Sequence, residues 1–366
     1  MHDAASVLTD QFSDLLARLP SDLDLDRLAL ETKAIQRKRE VVDGASLLRI
    51  ALARGPGGLS LRQTSAWASM LGVVELGNPA VKYRLDQATA FLAALVERLL
   101  AAKAPGAELR WPGRILRLAD GTCVSKPGSA GTDWRVHGVF DLGRGGFAHL
   151  ELTDQHGAEA LERGAPCPGE IRIGDRNYAR ASVLRRFRAQ SGGRADFIVR
   201  LGRNALHLTN PAGKSFDLIG YLQCLPPGSS PHEVNLRAPV GRDEPALAVR
   251  LIVQRKTPEA AEATRSALRR AAANKGKARD RRSLIAAEFM IMATSLPKSG
   301  YSAKAVLAVY RLRWQIELAF KRLKSLLHID RIPTWTERGS RSWLYAHLIL
   351  ALLCNDLSQD ILESSP

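Results

Sequence analysis

Apolar residues recur at two different periods along this chain, and the change from one to the other divides it. From residue 1 to about 104 they step by three and four, the spacing that lines one side of a helix. Ser60-Leu61-Arg62-Gln63 forms a capping box, with Ser60 as N-cap and Gln63 at the third helical position. The helix it opens ends near Gly72, a natural C-cap. Asn78-Pro79 supplies a second start, an N-cap followed by proline at the first helical position. Val81, Leu85, Ala88, Leu92, Leu95 and Leu99 then line one face. Two capped helices around a short connector bearing glycine resemble a helix-turn-helix, with Lys82 and Arg84 placed to reach DNA; an ordinary helical hairpin has the same pattern. Ala104-Pro105-Gly106 reads as a linker.

Beyond the linker the pattern turns to strands. Residues 114–120 are apolar and end at Asp120-Gly121, residues 134–142 and 146–153 flank a glycine-rich turn, and residues 170–175 end on a second Asp. A short helix is expected near 157–163, a longer one over 178–190, and a strand over 195–201. This order of three strands, helix, strand, helix, strand resembles that of an RNase H-like fold. Further runs at 216–225, 234–240 and 246–254 read as strands, and a helix opens at Thr257-Pro258-Glu259 and ends in the basic stretch 265–282. Residues 288–294 read as one more strand before Ser302 caps a last major helix. The expected class is therefore α/β. An all-helical N-terminal domain (1–104) precedes an RNase H-like core (105–202 and 297–333), interrupted by a β-rich insertion with a basic helix (203–296) and followed by a helical tail (334–366).

The helix-like run 310–324 carries the most chemistry. At 100° per residue, Tyr310, Arg313, Glu317, Lys321 and Lys324 share an arc of roughly 80°. Beside it Val309, Leu312, Ile316, Phe320, Leu323 and Leu327 form a stripe that faces the core. One carboxylate thus sits among cations and a phenol on a helix pinned to an apolar interior. By geometry alone, a solvated face laced with ion pairs worth about 0.3–0.5 kcal/mol each accounts for the arc.

Charge changes that picture. The 366 residues carry a net charge of +16, which favours a polyanionic partner, nucleic acid first and an acidic membrane surface second. Four scattered cysteines without a Cys-x-x-Cys indicate neither a disulfide framework nor a thiolate zinc site and fit a reducing cytosol. The apolar stretch 344–353 is interrupted by His347 and far too short to span a membrane.

Tyr310-x2-Arg313-x3-Glu317-x6-Lys324 resembles the Y-R-E-K signature of bacterial insertion-sequence transposases of the DDE type. Leu118-Ala119-Asp120-Gly121-Thr122 and Ile173-Gly174-Asp175-Arg176 are similar to that family's first and second acidic motifs, and Phe197-Ile198-Val199-Arg200 also looks like it. The resemblance implies that Asp120, Asp175 and Glu317 are catalytic metal ligands, holding two Mg²⁺ (or Mn²⁺) ions per active site. It implies that Tyr310, Arg313, Lys324, Lys321 and Arg176 contact DNA. Two-metal phosphodiester chemistry needs acidic oxygens from separate elements converging on hard cations about 3.5–4 Å apart. Such acids repel one another without metal, so at least one should be hard to ionise. Asp133, Asp141, Asp154 and Asp330 have no motif behind them. The partners implied are double-stranded DNA, namely transposon terminal inverted repeats and target DNA, and a second copy of the chain on paired ends. The expected location is the bacterial cytoplasm, at the nucleoid. A metal-dependent nuclease of RNase H-like fold and a non-catalytic DNA-binding descendant of such an enzyme are the alternatives.

Overall fold

The computed structural model describes residues 12–37, 41–102, 111–126, 128–129, 131–228, 230–241, 244–274, 276, 280–327, 332–334 and 336–363, with side chains for all of these except 318, 322–327 and 355–363. The linker 104–106 and Asp330 lie outside the described residues. The N-terminal helices are α1 (Leu25–Glu31), α2 (Gly44–Arg54), α3 (Leu61–Met70), α4 (Asn78–Gln87) and α5 (Thr89–Ala101). The capping box is made as read: the Gln63 N–H donates to Ser60 Oγ at 3.2 Å and the Ser60 N–H to Gln63 Oε1 at 2.9 Å. The next helix starts one residue earlier than expected, with Gly77 as N-cap, and it breaks at Ala88 into α4 and α5. All six apolar positions from Val81 to Leu99 are nevertheless buried.

Among the described residues eight strands form one sheet: β1 (Ile115–Val124), β2 (Trp134–Asp141), β3 (Gly146–Asp154), β4 (Glu170–Gly174), β5 (Asp196–Arg200), β6 (His232–Ala238), β7 (Leu247–Arg255) and β8 (Phe289–Thr294). Their order is β3-β2-β1-β4-β5-β8-β7-β6. The first three are an antiparallel meander, and β4 and β5 add in parallel beside β1, which is the RNase H-like arrangement. The strands of the 203–296 segment continue the same sheet, because β8 pairs antiparallel with β5.

Helix α6 (Ala181–Gln190) covers one face of the sheet, against Phe197 and Val199. The other face, carrying Leu116, Leu118, Ile171, Ile173 and Ile198, shares a core with the N-terminal helices and the C-terminal ones. Between β5 and the end of the sheet come α7 (Leu218–Cys224), α8 (Pro258–Ala273) and α9 (Arg281–Ala287), and after it α10 (Ala303–Tyr310), α11 (Trp314–Leu327) and α12 (Glu337–Glu363). Helix α12 returns to pack on α2, α4 and α5, where Ser342 Oγ donates to the Leu85 carbonyl at 2.5 Å.

Three local readings change. Residues 216–225 hold a helix, because Asp217 accepts from the Ile219 N–H and Leu218, Ile219 and Leu222 share one buried side. No helix forms at 157–163; that segment is held instead by Arg172, whose Nη1 donates to the carbonyls of Leu161, Arg163 and Gly164 at 2.7, 2.7 and 2.8 Å. The run through Tyr310 is interrupted by a 3-10 turn, Arg311–Arg313, between α10 and α11.

Helix α11 seats on the sheet through a missing side chain. A Cβ on Gly138 would lie 2.8 Å from both Phe147 Cε1 and Phe320 Cζ. Phe320 is 4% exposed and stacks at 5.4 Å on Phe147. Gly138→Ala is expected to push α11 off the sheet and cost about 1–3 kcal/mol of stability. Urea unfolding should show that loss, with partial recovery in Gly138→Ala/Phe320→Leu; an unchanged midpoint for the single variant would mean that the glycine is not what seats the helix.

Candidate active site

Strand pairing brings the first two acids together. In the parallel β1–β4 ladder Leu118 pairs with Ile173, so two residues further along both chains Asp120 lies level with Asp175. Both have the parity of Leu118 and Ile173 and belong to the face that α11 packs on. Asp120 does not end its strand. β1 continues to Val124 because Thr122 and Val124 keep pairing with Val136 and Trp134. The Gly121 N–H donates to Asp120 Oδ1 at 2.9 Å and fixes the carboxylate. Asp175 follows β4 and caps the 3-10 turn Arg176–Tyr178, accepting from the Asn177 N–H at 2.8 Å.

The third acid approaches from the helix side. Glu317 stands in the first turn of α11 and is about half exposed. Arg313 joins it to the sheet: Nη2 donates to Glu317 Oε1, and Nη1 lies 3.8 Å from Asp120 Oδ2. Tyr310 is not on a solvated arc with them. The 3-10 turn rotates it inward to 7% exposure, and burial raises its phenol pKa against the opposing charges of Arg313 and Arg200. Lys321 is exposed on α11, and Lys324 lies on the same helix with its side chain outside the described set.

Electrostatics single out Asp120. Burial raises its carboxyl to about 6; Asp175 and Glu159 add to the rise, while the Gly121 N–H and Arg313 oppose it. A reluctant acid was expected from mutual repulsion, but loss of water is the larger cause here. Buried Tyr178 feels the same group: burial first, then Asp120, Glu159 and Asp175, raise its pKa strongly.

Three residues near this centre had no assigned role. Arg200, at the end of β5, is half-buried; burial lowers its pKa, and Arg176 and Arg313 press in the same direction while Tyr310 and Asp175 oppose them. Its sequence signals were a place at the end of an apolar run and the family resemblance of Phe197-Ile198-Val199-Arg200, neither of which assigned it a role. Glu159 lies in the irregular 157–163 segment, where no periodicity could have marked it. Lys256 follows β7 and donates to the Ala287 carbonyl at 2.7 Å and Thr264 Oγ1 at 3.0 Å. Burial, then Arg200 and Arg176, lower it to about 8. Arg176, Arg200, Arg203 and Lys256 line one groove of about 700 Å³ between the end of β5 and helices α8 and α9.

Among the described residues no group of three or more His, Cys, Asp or Glu stands close enough together to hold a metal. The donor chemistry still suits a hard divalent cation. Asp120 is a desolvated carboxylate with Asp175 beside it, and a nearby cation would relieve both burial and repulsion. Glu317 is engaged by Arg313.

A family profile described as the transposase DDE domain matches residues 111–353, from β1 through most of α12. The chain belongs to the DDE transposases. It is 37% identical over 359 residues to the putative transposase InsL for insertion sequence element IS186A of Escherichia coli (strain K12), with 98% of this chain and 96% of that one aligned. It is also 37% identical over 360 residues to the transposase for insertion sequence element IS421 of Escherichia coli, with the same coverage. The transposase for insertion sequence element IS231F of Bacillus thuringiensis subsp. israelensis is 25% identical over 387 residues, covering 94% of this chain and 79% of that one. This is thus a DDE transposase of insertion sequence elements, a DNA strand-transfer enzyme. Among the described residues no helix is long and apolar enough to cross a membrane.

In this transposase the raised pKa of Asp120 has a stability consequence. The folded chain holds the Asp120 proton up to about pH 6, against 3.8 for the ordinary group. The native state therefore binds more protons than the unfolded one across that window, and stability falls as pH rises through it. Above pH 6 the ionised group costs at most about 3 kcal/mol. Asp120→Asn is thus expected to be more stable than the wild type in EDTA at pH 7.5, with the advantage shrinking toward zero near pH 4. Urea unfolding at both pH values measures this; a less stable variant at pH 7.5 would contradict it.

Proposed function

We propose that Asp120, Asp175 and Glu317 form the carboxylate set of this transposase, with Tyr310, Arg313, Glu317 and Lys324 acting as a Y-R-E-K arrangement. The observation that carries the proposal is the parallel pairing of β1 and β4, which sets Asp120 on β1 level with Asp175 just past the end of β4, with Glu317 joined to Asp120 through Arg313. Two Mg²⁺ or Mn²⁺ ions, when bound, supply activation of the attacking oxygen and stabilisation of the departing one. Asp120 and Asp175 would hold them from the sheet, whose hydrogen bonds fix both acids in direction. Glu317 would close the set from the helix.

The surrounding cations serve the DNA. Arg313 presents a planar fork suited to a phosphate, and Arg176, Lys321 and Lys324 extend the positive surface along the same side. Arg200 joins them, since it stands beside Asp175 and Tyr310. A phosphodiester at the terminal inverted repeat is cleaved to leave a 3′-hydroxyl, which then attacks target DNA in a second in-line displacement. The N-terminal helices read the DNA of the ends, and two protomers act on paired ends.

Asp175→Asn tests the reading, because it keeps the shape and the N-cap oxygen while removing the charge. Labelled DNA bearing the inverted repeats that bracket the coding region is incubated with a target plasmid and Mg²⁺. The wild type is expected to give cleaved ends and joined product, and the variant neither. Cleavage without joining would favour a nuclease, and binding without cleavage a non-catalytic protein; nicking by Asp175→Asn at the wild-type rate would remove the catalytic assignment.

A further inference from the structure

Arg313 occupies an unusual place for a group that is to hold DNA. It ends the 3-10 turn between α10 and α11, with its side chain about one-quarter exposed. One arm of its fork donates to Glu317 Oε1 and the other points at Asp120 Oδ2, 3.8 Å away. A single guanidinium therefore spans two carboxylates that come from opposite sides of the site. Arg200 stands near enough to press on it as a like charge. Tyr310, buried three residues earlier, anchors the turn that carries it.

We infer that Arg313 is a latch: without DNA it holds Glu317 and Asp120 by charge, and a DNA phosphate that takes its fork frees them for divalent cations. The inference rests on the carboxylate reading proposed above. Its physics is competition. A divalent ion entering between Asp120 and Glu317 would meet the Arg313 charge at close range and would have to replace its hydrogen bond to Glu317. A phosphate offers the same fork an equivalent partner and so removes the obstacle. This accounts for a donor set of suitable chemistry in which no three acids are gathered. Metal loading is thereby coupled to DNA binding, and the chain carries little metal that could cut DNA before an end is seated.

Mn²⁺ titration of the full chain, followed by the electron paramagnetic resonance signal of free Mn²⁺, reads the latch without any turnover. The wild type alone should bind Mn²⁺ weakly, and a duplex carrying the flanking inverted repeat should tighten binding on the order of tenfold. By reciprocity Mn²⁺ should tighten duplex binding by the same factor. Arg313→Gln and Arg313→Ala should bind Mn²⁺ tightly with no DNA present and gain little from the duplex. Circular dichroism melting checks that both variants are folded. Asp120→Asn and Asp175→Asn serve as controls. If they abolish Mn²⁺ binding while the Arg313 variants match the wild type, the latch is wrong and the metal site stands. If they leave Mn²⁺ binding unchanged, the carboxylate reading fails and the latch with it.

Discussion

Arg117 holds three strands at once, and the position of the acids depends on it. From β1 its Nε reaches Asp141 of β2 at 3.2 Å and its Nη1 reaches Glu170 of β4 at 3.1 Å, while Glu170 also accepts from Arg172 Nε at 2.5 Å. Asp141, Glu170 and Arg172 are essentially inaccessible to water. Two buried acids and two cations leave this group neutral, and such a network contributes less to net stability than to specificity of arrangement. Its effect here is to pin register. A slip of one residue between β1 and β4 would separate Arg117 from Glu170 and turn every side chain to the opposite face. Asp120 lies further along β1 and Asp175 directly follows β4, so their meeting is set by charges on the other face of the sheet.

The helix side of the site is placed by packing. Ile316 and Phe320 bury the inner stripe of α11, and the gap at Gly138 lets the Phe320 ring approach the sheet directly opposite Asp120, since Gly138 is the β-partner of that residue. Glu317, one residue beyond Ile316, is thereby held on the side of the sheet that bears Asp120. The strands of the 203–296 segment extend the sheet past β5. They carry Lys256 to the groove that Arg176 and Arg200 line, so the positive surface continues from the acids across the added strands.

Much of this was legible in the chain, for identifiable reasons. Ser60 and Gln63 state a helix start locally, and the step from Ile173 to Asp175 marks a strand end whatever surrounds it. The succession of elements that resembles an RNase H-like fold came from runs long enough to show their period, save for the helix at 157–163, which does not form. Legibility failed where a tertiary contact decides. Residues 216–225 are apolar enough for either state, although Asp217 followed by Leu218, Ile219 and Leu222 carried a helical signal. The arc from Tyr310 to Lys324 assumed one unbroken helix, and the turn at Arg311–Arg313 buries Tyr310 instead. Arg200 and Glu159 approach Asp120 and Asp175 only through folding, and the role of Gly138 depends on a phenylalanine far along the chain. That one of the acids would be reluctant to ionise was expected; that it is Asp120, and that loss of water is the main cause, required knowing how deeply it lies.

The central claim is that three carboxylates converge on divalent cations once DNA draws Arg313 away. A structure of the chain with inverted-repeat DNA and Mn²⁺, with anomalous diffraction recorded for manganese, tests it most directly. The account expects manganese peaks bridging Asp120, Asp175 and Glu317, with the Arg313 fork on a backbone phosphate. Manganese bound away from these acids, or Arg313 still bonded to Glu317 beside a seated DNA end, would contradict it.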